Sequence, residues 1–174
     1  MRPNRAGSLR PFSFDAAHPH KPAFMHKIFI ACVSVIIGAG SAIASEETDV
    51  LAPVRQFIDG FNKGDIKMAE AACLDQIFII DDFPPHAWSG SDAISNWLHD
   101  LDTFEKKSGT SDVSVTLDKP QHVNVTGDRA YVVLPTKLSY KKQGQPINEN
   151  GVMTLVLHKG ADGWRIAAWA WADN

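Results

Sequence analysis

From residue 46 onward the apolar positions follow two rhythms in succession. Val50, Leu51, Val54, Phe57, Ile58 and Phe61 recur three and four apart, which lays one apolar stripe along a helix. Ser45 supplies a cap candidate and Glu46 and Glu47 supply first-turn acids, which the helix dipole favours. The pattern therefore predicts a helix from residue 45 that stops at Gly64. Asp65 is positioned to cap a second, shorter helix through Leu74, with Ile66, Met68, Ala69 and Cys73 as its apolar members. Residues 77 to 80 form a β-rich apolar run that ends at Asp81 and Asp82, ahead of the turn residues Pro84 and Pro85. A third helix is predicted from about Ser89 to Lys107, with Ile94, Trp97, Leu98, Leu101 and Phe104 sharing a face.

After Gly109 the period drops from 3.6 to two. Val113, Val115 and Leu117 alternate, then Val123 and Val125, then residues 130 to 140, 152 to 158 and 164 to 171, with turn signals at Gly127-Asp128, Gly144 and Gly160 to Gly163. Helices first and antiparallel strands afterwards is an α+β order. Such a sheet must bury one face against the helices, so it is expected to curl around them. No repeat or low-complexity linker interrupts residues 45 to 174, which read as a single domain.

Residues 25 to 45, MHKIFIACVSVIIGAGSAIAS, interrupt neither rhythm because they belong to neither. A short basic start, an apolar run and small residues ending in Ala42-Ile43-Ala44 form the pattern of a secretory signal, with cleavage expected after Ala44. The continuous apolar stretch is shorter than the ~20 residues that span a bilayer. Residues 1 to 24 carry three Arg and four Pro without periodicity and read as an upstream translation start or a disordered extension, with Met25 as the authentic start. The expected location is periplasmic or secreted, with no stable membrane span after signal cleavage.

This division changes the charge. The whole chain carries 17 Lys and Arg against 20 Asp and Glu, but residues 1 to 44 hold five of those cations and one acid, leaving 12 against 19 and a net charge of −7. A domain that acidic has no electrostatic reason to seek nucleic acid or anionic lipid. Only Cys73 remains after cleavage, so no intrachain disulfide is possible; it sits among apolar neighbours, as a buried structural thiol does. Residues 45 to 174 contain no HxxxH, HxH or CxxC spacing, so neither a metal nor another cofactor is expected.

Three stretches carry a resemblance. FIDGFNKGDIKMAEA, SGSDAISNWL and LVLHKGADGWRIAAWAW, in this order and spacing, resemble the nuclear transport factor 2-like (NTF2-like) superfamily, in particular its SnoaL-like and DUF4440 members. The resemblance spans nearly all of residues 46 to 172. It implies a cone: three N-terminal helices packed on a curved antiparallel sheet, with a pocket between them. It is poorly specific for activity, because this fold hosts isomerases, dehydratases, hydrolases, cyclases and non-catalytic modules.

Within that expected pocket one segment, IDDFPPHAWSG, concentrates polar and aromatic groups. In the ketosteroid isomerases of the superfamily a carboxylate in about this place is the general base, so the resemblance implies Asp81 or Asp82 for that role, with His86 as a shuttle or orienting group. The donors those isomerases use are missing: Phe57 stands at the helix-one tyrosine, and Met153 or Thr154 at the second acid. Steroid isomerase chemistry is therefore not carried over. Phe57, Phe61, Trp88, Trp97, Met153, Ala168 and Ala170 are expected to line the pocket.

The last two points depend on strand phase. If Trp164, Ile166, Ala168 and Ala170 face the helices, then Trp169 and Trp171 lie on the outer face with Tyr131, and exposed tryptophans call for a homodimer through that face. The opposite phase turns Trp169 and Trp171 into the pocket. The expected function is binding of a small apolar or amphipathic molecule. The alternatives are a cofactor-independent isomerase, lyase or hydrolase and a non-catalytic dimeric assembly module whose cone its own side chains fill.

Overall fold

The computed structural model describes residues 39 to 173, with side chains from residue 46. Residues 1 to 24 and most of the expected signal segment lie outside the described residues. The chain runs α1 (Ala39–Lys63), α2 (Ile66–Ala71), β1 (Cys73–Ile80), β2 (Ala87–Gly90), α3 (Ala93–Ser108), β3 (Thr110–Leu117), β4 (His122–Thr126), β5 (Arg129–Lys142), β6 (Gln145–Gly160) and β7 (Gly163–Asp173).

α1 begins six residues before Ser45, since alanine-rich sequence such as that at 39 to 44 propagates a helix readily. Its expected stripe is the buried one: Val50, Leu51, Val54, Phe57 and Ile58 are all in the core. Asp65 caps α2, its Oδ1 accepting from the Met68 N–H at 3.0 Å. The helix stops at Ala71 rather than Leu74, because Cys73 already pairs with Ile166 in the sheet. α3 also starts later than its sequence pattern suggests. Residues 87 to 90 form β2, antiparallel to β1 with Trp88 opposite Ile79, and so belong to the sheet.

The strands form one sheet in the order β2-β1-β7-β6-β5-β3, with β4 pairing the first half of β5. Every pairing is antiparallel except β1 with β7, which is parallel. The structure is thus α+β, with helices followed by a curved, unclosed sheet. Leu134, Leu155, Leu157 and Ile166 on its inner face meet Val50, Val54 and Phe57 of α1 in one continuous core.

Two local devices hold α1 in place. Gly60 lies so near α2 that an added Cβ would stand 2.6 Å from the Ala69 backbone nitrogen, closer than real Cβ contacts allow. Asn62 acts as a substitute strand for β3: its Nδ2 donates to the Val115 carbonyl, and its Oδ1 accepts from the Val115 N–H, both at 2.8 Å.

Most important for the pocket is β7. Val156 pairs with Ala168 and Leu157 with Ile166, so one step along β6 spans two along β7, and Ala167 is the extra residue of a bulge. Before it, Trp164 and Ile166 face inward; after it, the phase is inverted and Trp169 faces inward as well. Neither uniform phase expected from the sequence occurs. Ala168 and Ala170 lie on the outer face, and Trp169 and Trp171 do not.

Asn62→Ala removes both partners of a buried strand position and is expected to cost roughly 1–3 kcal/mol, read as a lower urea midpoint with an unchanged slope.

Candidate functional site

The inner sheet face, α1 and α3 enclose a cavity of about 320 Å³. α1 contributes Phe57, Ile58 and Phe61, and α3 contributes Trp97, Leu101, Phe104 and Glu105. β6 and β7 contribute Met153, Trp169 and Trp171, while Asp81, Asp82 and Phe83 close the end of β1. Of the residues expected in the pocket, Phe57, Phe61, Trp97 and Met153 are there.

The floor is aromatic because the bulge turns β7 toward α1 and α3. Trp97 and Trp169 meet edge to face with centroids 5.1 Å apart; Phe57 lies 5.8 Å from Trp169, and Phe61 lies 5.6 Å from Trp97. Trp171 is seated over Gly151, where a Cβ would fall 2.2 Å from the ring. That position on β6 is open only because it has no side chain. The Trp169 indole N–H is buried and has no hydrogen-bond partner among the described residues.

Asp81 follows directly on β1, with its carboxylate turned into this apolar surround. Trp97 Nε1 donates to Oδ2 at 2.7 Å, and the Asp82 N–H donates to Oδ1 at 2.9 Å. Desolvation nevertheless prevails over these two bonds and pushes the carboxyl up to about 6. Asp82 is also held above the ordinary carboxylate range, chiefly by burial and further by the neighbouring Asp173. Tyr140 donates to Glu149 Oε1 at 2.9 Å on the opposite wall.

Four expected site residues are placed elsewhere, besides Ala168 and Ala170. His86 is exposed, with Nδ1 3.2 Å from the Asp81 backbone oxygen, and does not reach either carboxylate. His86 itself has a positive φ of +73°. Trp88 is core: it packs on Phe83 at 5.0 Å and donates to Asp100 Oδ2 at 2.9 Å. Trp169 and Trp171 belong to the pocket and not to an outer dimer face; only Tyr131 of that trio points outward.

The sequence reading missed Glu105, Tyr140, Glu149 and Asp173. Tyr140 and Glu149 could have been found by extending the alternation of the fifth and sixth strands, since both share the inward phase. Cys73 is buried, bonded to the Ala69 carbonyl and pushed up to about 12, an inert thiol. Among the described residues no three His, Cys, Asp or Glu converge as metal ligands, and no helix is long and apolar enough to cross a membrane.

A model of the SnoaL-like domain matches residues 50 to 170. No curated protein matches the chain. Among solved structures, a ketosteroid isomerase-like protein from Erwinia carotovora atroseptica is similar at 20% identity and a TM-score of 0.58, covering 74% of this chain and 95% of that one. A putative dehydratase of the NTF2-like family from Streptomyces avermitilis gives 17% and 0.62, covering 75% and 97%. The CaMKII hub of S. rosetta gives 18% and 0.60, covering 73% and 95%. At these identities the likeness is one of fold.

Ionising Asp81 in the fold costs roughly 3 kcal/mol more than ionising an exposed aspartate. The neutral acid's contribution to stability is complete below the ordinary value of 3.8 and is lost as pH rises through about 6. Asp81→Asn stays neutral, though it gives up one of two accepted hydrogen bonds at every pH. Its stability relative to wild type is therefore expected to improve by roughly 2–3 kcal/mol across that window. Urea midpoints across it check this; a difference independent of pH refutes the assignment.

Proposed function

The chain belongs to the SnoaL-like domain family, and we propose that it is an exported member whose cone pocket binds a small apolar or amphipathic molecule. One observation carries this reading: the cavity of about 320 Å³ is walled by aromatic rings yet left open, with a few polar groups converging on it. A cone serving only as an assembly module has no need to keep that volume empty. The orphaned Trp169 N–H supports the same reading, since a buried donor without a partner costs stability unless something supplies the acceptor.

A second reading is favoured by the raised Asp81. A carboxylate held near 6 is suited to abstract a proton at neutral pH, as a cofactor-independent isomerase, lyase or hydrolase requires. Asp82 is the alternative base, and His86 is exposed, bonded to the Asp81 backbone oxygen and not to either carboxylate. The weakness is electrostatic, because Phe57 and Met153 offer no donor to a developing oxyanion. Native mass spectrometry of the protein from its own host is expected to show a co-purifying small molecule. An empty pocket there would count against the binding reading. Turnover of lactones, epoxides or enolisable ketones that Asp81→Asn and Asp82→Asn leave unchanged would end the catalytic one.

The homodimer also belongs to this proposal, on a different set of residues. Phe78, Ala168, Val156 and Tyr131 lie side by side across four strands of the outer face, and Ile80, Ala170, Thr154 and Val133 form the adjacent row. Phe78, Ile80, Tyr131 and Val156 are each 40–45% exposed, an apolar patch that water penalises. Sedimentation is expected to give a dimer for wild type and a monomer for Val156→Asp, whereas a monomeric wild type would refute the interface.

A further inference from the structure

We propose, resting on the ligand-binding reading above, that the pocket selects an amphipathic organic cation, an aryl- or alkylammonium whose charged head lies among the carboxylates and whose apolar body lies on the rings. The lining holds five carboxylates, Asp81, Asp82, Glu105, Glu149 and Asp173, against one ammonium, Lys142. An open cavity with that imbalance repels fatty acids and other anions, and a neutral molecule has no use for it.

The imbalance is not neutralised from within. Ion pairs among the described residues engage Lys63, Lys106, Lys137, Lys141, Arg129, Arg165 and His158, and their partners are Asp59, Asp102, Asp118, Asp112, Asp128 and Asp162. None of the five pocket carboxylates is among those partners. Three of them are steadied by neutral donors instead: Trp97 on Asp81, Tyr140 on Glu149, and Trp171 on Asp173 at 3.3 Å. A neutral donor fixes a carboxylate in place and leaves its charge uncancelled, with further lone pairs free to receive a cation.

Asp82 bears out the strain in this arrangement: burial first, and then the neighbouring charge of Asp173, make its carboxyl harder to ionise. A bound cation reverses that penalty. The floor works in the same direction: the faces of Trp97, Trp169, Phe57 and Phe61 present negative quadrupole density, which attracts an ammonium and not an anion.

The test titrates the full chain, by tryptophan fluorescence and calorimetry, with three ligands of one shape: phenyltrimethylammonium, its uncharged isostere tert-butylbenzene, and the anion benzenesulfonate. The cation is expected to bind about tenfold more tightly than the isostere, with the preference shrinking as ionic strength rises, and the sulfonate is expected not to bind. Asp82→Asn and Asp173→Asn are expected to lower the cation-to-isostere ratio, while Asp162→Asn in the distant β6–β7 turn leaves it unchanged. Equal binding of cation and isostere, a preference for the sulfonate, or an equal effect of Asp162→Asn overturns the cation proposal and leaves the binding reading standing. No binding by any of the three overturns both.

Discussion

One extra residue in the last strand decides what this cone contains. A regular β7 has a single phase, and that phase offers a choice between two incomplete inner faces. With Trp164 and Ile166 inward, the far end of the strand would present the methyl groups of Ala168 and Ala170 to the helices, leaving two indoles in water. With Trp169 and Trp171 inward, the near end would lose Trp164 and Ile166 from the core. The bulge at Ala167 gives both ends their large side chains on the same side. Burying one indole of ~200 Å² is worth on the order of 5 kcal/mol by area alone. That gain far exceeds the one or two ladder hydrogen bonds a bulge disturbs.

Everything distinctive about the pocket follows from that inversion. Trp169 becomes the ring against which Phe57 and Trp97 pack, so α1 and α3 are held to the sheet by the same residue that forms the ligand-facing wall. Trp171 requires Gly151 beneath it and directs its N–H toward Asp173. The small residues displaced to the outside, Ala168 and Ala170, are what keep the outer face level between Phe78 and Ile80 on one flank and Val156 and Thr154 on the other. An apolar strip of this kind suits contact between sheets.

The helices were legible because their periodicity is carried by side chains that all meet one core. Val50, Val54 and Phe57 repeat at the spacing of a helix face, and nothing in the tertiary structure opposes it. Boundaries were less legible where two elements compete for the same residues. Cys73 satisfies a helical pattern and a strand pairing equally well, and Ile166 across the sheet settles the matter. Residues 87 to 90 look like the approach to a helix until β1 is present to pair with them. The carboxylate at the end of β1 could be singled out from its apolar neighbours. Of the other acids of the pocket, Glu149 could be reached by extending the alternation of its strand, whereas Asp173 lies beyond the bulge of β7 and could not. The phase of β7 was illegible in principle: alternation assumes that every residue advances the strand by one step, and a bulge is the case in which it does not.

The same geometry explains why Asp81 sits at the boundary between floor and rim. Oδ2 takes the Trp97 N–H, so the buried indole finds its acceptor and the ring can lie against Trp169 without an unmet donor. Oδ1 takes the Asp82 N–H and fixes the chain as it leaves β1. Two accepted bonds hold the carboxylate in place, yet they are outweighed by the water it has lost. The pocket therefore carries a group that is structurally satisfied and electrostatically unsatisfied at neutral pH. A fold selected only for stability would replace it with an amide or an apolar residue; its presence in the lining of an aromatic cavity fits a cost borne for what binds there.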